Sequence, residues 1–293
     1  LLSRAYALGI QGVNLRVGTS EEARRTFQSN DRGDKSVSAA RKAIQLDSRQ
    51  ASAYATLATV QYQNGKWAAA EDLYKQGLAL DPNDPDILYG FSVLLRNVGR
   101  YKQGLSVSDR VRTLEPLSLL YKIGFARALQ VAGQDHESIA VLEALPPGYP
   151  SNIYLAQAYA TAERYSEAAD TLLAVPQRSF AQRSVEDAAR LLRGAPAKVK
   201  SPEALPVLEA ELNFVYAHVG AMNRVMEYPE RNLEIGITGD NVARTLWRPN
   251  YAPLRKTERF KAYVRKAGLV DYWRARGWPD LCRAQGADDF VCV

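Results

Sequence analysis

The sequence predicts an all-α, right-handed superhelical solenoid of stacked helix hairpins, closed by a helical cap at its C-terminal end. Three observations carry that prediction. Gly65, Gly99 and Gly133 stand 34 residues apart, Pro82, Pro116 and Pro150 repeat the interval, and the residues around each glycine recur in kind. Leu57, Phe91 and Phe125 lie eight residues before a glycine, with small Ala58, Ser92 and Ala126 next to them, and Ala70, Gly104 or Ser138 lies five residues after it. A fixed interval of this size marks a repeat array, in which each unit packs on its neighbours.

The clearest unit runs from Ala51 to Asp84. Tyr54, Leu57, Ala58 and Tyr62 recur at helical spacing, and Asn64-Gly65 ends that helix with residues that tolerate a left-handed cap. A second helix over Trp67 to Leu80 carries Ala70, Leu73, Tyr74 and Gly77 on one stripe and stops at Asp81-Pro82. Pro85 to Ser118 repeats the design. So does Leu119 to Asn152, whose second helix is cut short by Leu145-Pro146-Pro147-Gly148. Leu155, Ala156, Tyr159, Tyr165, Ala168 and Leu172 keep the same order four residues out of phase, a slip that matches the shortened connection.

Outside these units the pattern weakens. Ala40, Ala43, Ile44, Leu46 and Asp47 read as the second helix of an earlier unit, with Leu1 to Leu15 as its partner and an irregular linker from Gly18 to Asp34. Ala181 to Arg193 reads as a helix and Pro196 to Pro202 as a surface linker. Leu212, Tyr216, Gly220, Met222 and Val225 follow as one degenerate pair. The expected division is N-terminal helices at 1–50, core repeats at 51–175, degenerate helical repeats at 176–240, and a basic, aromatic cap at 241–293.

The 34-residue helix pair, with small residues where its helices cross and proline at its end, resembles the tetratricopeptide repeat. Small side chains are needed there because helices packed about 8 to 10 Å apart leave no room for larger ones. The stretch from Leu246 to Trp273 also resembles an ending of bacterial tetratricopeptide regions that follow winged-helix regulators or class III nucleotide cyclases. That likeness implies, as an alternative function, a sensory or oligomerisation region of a larger regulator. The chain begins at Leu1, and Leu1 to Gly18 lacks the layout of a signal peptide, so a fragment or a processed product is expected.

Composition narrows the function classes. Of 293 residues, 46% are hydrophobic and 24% charged, values at which chains fold rather than stay disordered. No apolar run approaches the roughly 20 residues that cross a bilayer. The whole net charge of +6 falls within residues 241–293, where eleven Lys and Arg face five acids. Such an end could meet nucleic acid, but a segment holding Trp247, Trp273 and Trp278 is expected to be buried as the cover of the last unit.

Catalysis is not indicated. The two histidines, His136 and His218, have no ligand pair or nucleophile at useful spacing, neither G-x-x-x-x-G-K-S/T nor G-x-G-x-x-G occurs, and no cofactor or metal is implied. Cys282 and Cys292 could form a disulfide that pins the tail, or stay as two separate thiols. The bridge would require an oxidising compartment and would favour an extracytoplasmic location.

A binding groove remains. First helices of such pairs line the concave face, and counting along them away from Leu57, Phe91 and Phe125 gives Thr59, Tyr62, Gln63, Tyr89, Arg96, Asn97, Arg127, Gln130 and Gln157. Tyrosine and arginine combine large contact area with a polar tip, as binding hot spots require. The expected partner is a protein or peptide held in that groove, and a homo-oligomer is also open.

Overall fold

The computed structural model describes residues 31–148, 150–176, 179–234, 236, 238 and 246–293. The expected helix at Leu1 to Leu15 lies outside these residues. Ten helices follow one another: α1 (Asp31–Leu46), α2 (Ala51–Gln63), α3 (Trp67–Leu80), α4 (Pro85–Asn97), α5 (Tyr101–Leu114), α6 (Leu119–Val131), α7 (Asp135–Glu143), α8 (Ser151–Thr161), α9 (Tyr165–Leu173) and α10 (Gln182–Gly194). Each packs on the next, and α2, α4, α6 and α8 also contact one another in order, so the first helices of successive hairpins lie side by side. Helix α1 begins at Asp31, inside the stretch read as linker.

The 34-residue period has a definite backbone cause. At Gly65, Gly99 and Gly133 the chain turns with φ of 70°, 85° and 77°. The amide of each glycine donates to the carbonyl three residues back, and the next amide donates to the carbonyl five back, as in Lys66 to Gln61 (2.9 Å), Arg100 to Leu95 (2.8 Å) and Gln134 to Leu129 (2.9 Å). This pair of bonds satisfies carbonyls that a helix end otherwise leaves open, and it needs the left-handed conformation. A fourth corner has the same two bonds at Glu163 (φ 60°) and Arg164. The crossings of the four hairpins are built as expected: Ala58, Ala70, Ser92, Ala126, Ser138, Ala156 and Ala168 have no exposed surface. A β-carbon at Gly104 would come within 2.8 Å of Arg96 Cγ.

After α10 the helix-pair expectation gives way. Residues 202–234 form short pieces: 3-10 turns at Pro202–Ala204, Ala210–Phe214 and Met222–Met226, with α11 (Val215–His218) and α12 (Glu227–Glu234) between and after them. Long helices are replaced here by side chains that fasten the main chain. Tyr216 donates its hydroxyl to Pro206 O and accepts from Leu208 N, and Asn213 Nδ2 donates to Val225 O.

The C-terminal segment holds α13 (Ala252–Arg255), α14 (Glu258–Lys266) and α15 (Leu269–Arg276), and then leaves the all-helical plan. Strands β1 (Cys282–Gln285) and β2 (Asp289–Cys292) pair antiparallel with Cys282 opposite Cys292, and those two cysteines are disulfide-bonded. The segment reaches the fourth hairpin, where Arg248 bonds to Gln157 and Thr161 of α8, and also returns to the first, where α15 lies against α3 and Trp67 Nε1 donates to Ala267 O at 2.8 Å. One contiguous hydrophobic core runs from Ala58 through the hairpins to Phe290 and Cys292.

Candidate functional site: the concave face

The returning segment grips the corners between first and second helices. Trp247 Nε1 donates to Asn97 O, Trp273 Nε1 to Val98 O, and Asp280 N to Gly99 O, so three successive carbonyls past the end of α4 are capped from outside the hairpin. β-carbons at Gly65, Gly99 and Gly133 would come within 2.6 to 2.9 Å of Thr238, Pro279 and Pro249 respectively. The corner glycines therefore serve the turn and also this close approach.

Charged groups complete the contact. Arg248 is 1% exposed; it donates to Asp135 Oδ1 (3.0 Å), Thr161 Oγ1 (2.9 Å) and Gln157 Oε1 (3.4 Å). Burial raises the Asp135 carboxyl above its ordinary value, and the Arg248 charge and hydrogen bond oppose that shift. Arg255, also buried, donates to the main-chain oxygens of Leu246, Arg248 and Val293, and desolvation lowers it to about 10. Glu71 is 1% exposed and accepts from Tyr272, Arg100 and Lys75.

Most side chains expected to choose a ligand are engaged within the chain. Thr59 donates to Ala55 O and shares a hydrogen bond with Tyr74. Tyr62 and Asn97 are buried and bonded to each other at 2.7 Å. Arg96 is buried, with Nε donating to Ser92 O, and Gln130 is buried, donating to Tyr154 O. Gln63, half-buried, lies where its main-chain oxygen accepts from Thr238. Gln157 donates to Glu211 O while accepting from Arg248. Six of the nine side chains thus hydrogen-bond within the chain, most of them to their own hairpin or the next, and Gln157 also to distant Glu211 and Arg248.

Tyr89 and Arg127 differ. Both are half-exposed, Tyr89 on α4 and Arg127 on α6. A β-carbon at Gly124 would come 2.5 Å from Tyr89 Cε2, so the tyrosine ring lies in the slot that this glycine leaves. Leu120, 41% exposed, stands four residues before Gly124, and Arg127 stands three after it, which puts all three on one stripe of the helix. Tyr121 flanks Tyr89 with ring centroids 5.4 Å apart and donates its hydroxyl to Asp86. The Arg127 guanidinium lies over the Tyr154 ring at 4.6 Å. Leu120 and Gly124 were missed by the sequence reading; their i, i+4, i+7 spacing with Arg127 was the available signal.

Chemistry is sparse elsewhere. Among the described residues no cluster of His, Cys, Asp and Glu could hold a metal ion, and no helix is long and apolar enough to cross a membrane. His136 is exposed, while His218 packs edge-on between Tyr165 and Phe214, where burial lowers it to about 4.

Residues 29–90 match the family model described as tetratricopeptide repeat. Among solved structures, the chain is similar to YrrB, described as a TPR protein with an unusual peptide-binding site. The identity is 20% and the TM-score 0.41, over 58% of this chain and 90% of that one. It is also similar to a structure of Naa15/Naa10 bound to HypK-THB, with 17% identity and a TM-score of 0.37, over 88% of this chain and 38% of that one. At these scores the likeness says nothing of what this chain binds. The comparison with curated proteins yields no match. Residues 29–90 carry the tetratricopeptide repeat, and α1 to α10 stack as a helical solenoid, a fold that serves generally as a protein–protein interaction module.

Proposed function

We propose that this chain is a non-catalytic interaction module that holds a segment of a partner protein on the open strip formed by α4 and α6. The observation that carries the reading is Tyr89, seated in the Gly124 slot between exposed Leu120 and half-exposed Arg127. That arrangement sets an aromatic ring, an aliphatic side chain and a cation within one helical stripe. The ring is held by Tyr121 and the guanidinium by Tyr154, so little side-chain freedom is lost when a ligand arrives.

The test begins with a partner recovered from native extract and mapped to a segment, which is then titrated calorimetrically against wild type, Tyr89→Ala and Gly124→Ala. Tyr89→Ala removes the ring, while Gly124→Ala keeps it and displaces it. Both should weaken binding by about tenfold or more, the scale of a hot-spot residue, with helix content unchanged. Binding equal to wild type in both variants would rule out this strip.

A further inference from the structure

Repeat arrays ordinarily hold together through nearest neighbours, so their units can open one at a time. Here one distant segment is fastened to four successive hairpins. In the first hairpin, Trp67 is bonded to Ala267 and Glu71 to Tyr272, and Arg276 Nη2 reaches Asp72 at 2.7 Å. In the second, the three carbonyls beyond α4 receive Trp247, Trp273 and Asp280, and Lys102 N donates back to Asp280 Oδ2 at 2.9 Å. In the third, Asp135 holds Arg248, which also donates to Thr161 and Gln157 of the fourth.

We propose that residues 246–293 act as an internal strap that fixes the spacing of the four hairpins, so that array and strap open together as one body. The physical reason is the kind of group that would be exposed by separating them. Trp247, Tyr251, Phe260, Trp273 and Phe290 have no exposed surface, and all belong to the same core as Ala58, Trp67 and Leu94. A hairpin that opened alone would strip its share of the cover from these rings and leave Arg248 or Glu71 buried without its partner, which is far more costly than losing a surface contact. The strap is itself closed at its end by the Cys282–Cys292 bridge and by Lys261 and Arg265, which both reach Asp289. Its grip is strongest past the end of α4. The orientation of that helix is therefore set by the strap rather than by its neighbouring hairpins alone.

Hydrogen exchange on the full chain in increasing denaturant, still below the unfolding transition, tests this without any ligand. Core amides of α2, α4, α14 and α15 should converge on one common opening. Trp273→Phe replaces the buried indole with a smaller phenyl ring, which removes the N–H that Val98 O accepts and leaves a cavity beside it. It should raise the opening equilibrium of all four helices together by more than the about tenfold that one buried hydrogen bond is worth. If that variant does not fold, Asp280→Ala removes an exposed acceptor for Lys102 N and should give a smaller shift shared by the same helices. The proposal is overturned if α2 and α4 open in a separate step in wild type, or if either variant speeds exchange in α14 and α15 while leaving α2 and α4 unchanged.

Discussion

Gly99 does two things that can be separated by measurement. Its φ of 85° suits a residue without a β-carbon, and the space beside it is filled by Pro279 Cβ, 2.6 Å from where a β-carbon would lie, and by Trp247. Gly286 shares the left-handed conformation, φ 69°, but has nothing within 4 Å. Gly286→Ala should therefore cost about 1 to 2 kcal/mol, the backbone penalty alone. Gly99→Ala should cost that amount and a further overpacking term of about 1 to 3 kcal/mol. Urea denaturation of both variants compares them directly, and equal losses would mean that the strap yields at Gly99. Glu163 shows the limit of reading corners from glycine. It adopts the same turn with φ 60°, yet no glycine marks it, so the fourth corner is visible in the sequence only through the small and large residues around it.

At the level of elements, helices α2 to α9 were legible because repeated small residues and helix-ending glycines specify local geometry, and local geometry is what periodicity encodes. What lies against a corner is a different matter. Nothing in the spacing of residues 258–276 says that Ala267 meets Trp67, because that contact depends on how the whole chain returns. The hairpin at Cys282 to Cys292 escaped notice for a related reason: two four-residue strands carry too little alternation to stand out, and the half-exposed β1 reads as a tail. Tyr62, Arg96, Asn97 and Gln130 read as groove residues from helical phase and are instead buried side chains.

The contact between α3 and α15 makes a prediction about acid. Burial pushes the Glu71 carboxyl up, but hydrogen bonds from Lys75 and Tyr272 and the charges of Lys75 and Arg100 outweigh it, so Glu71 lies below its ordinary value of 4.5. The unfolded chain then binds the proton more readily than the folded one. Stability from this group is present above about pH 4.5 and is lost as pH falls through the lower folded value. Glu71→Gln should be less stable than wild type at neutral pH and should lose less on acidification. Unfolding free energies at about pH 7 and about pH 3 provide the comparison. Parallel losses in both proteins would show that Glu71 is not held as an anion by α15.

The whole molecule is an array whose end is tied back to its beginning. Four hairpins supply the first and second helices, α10 and the short turns from 202 to 234 follow them, and residues 246–293 return along a route that touches all four hairpins. It also joins the aromatic residues of the tail to the core of the hairpins, so the tail can be monitored separately from the helices that it holds. Of the four tryptophans, Trp247, Trp273 and Trp278 report on the tail and Trp67 on its contact with α3, while far-ultraviolet circular dichroism reports mainly on α1 to α10. The most direct measurement is a urea titration of the full chain followed by both signals. One body requires the tryptophan fluorescence and circular dichroism transitions to superimpose, with the same midpoint and slope. A fluorescence change completed at lower urea, with helix content still intact, would show that the tail is a separate appendage and would contradict the account.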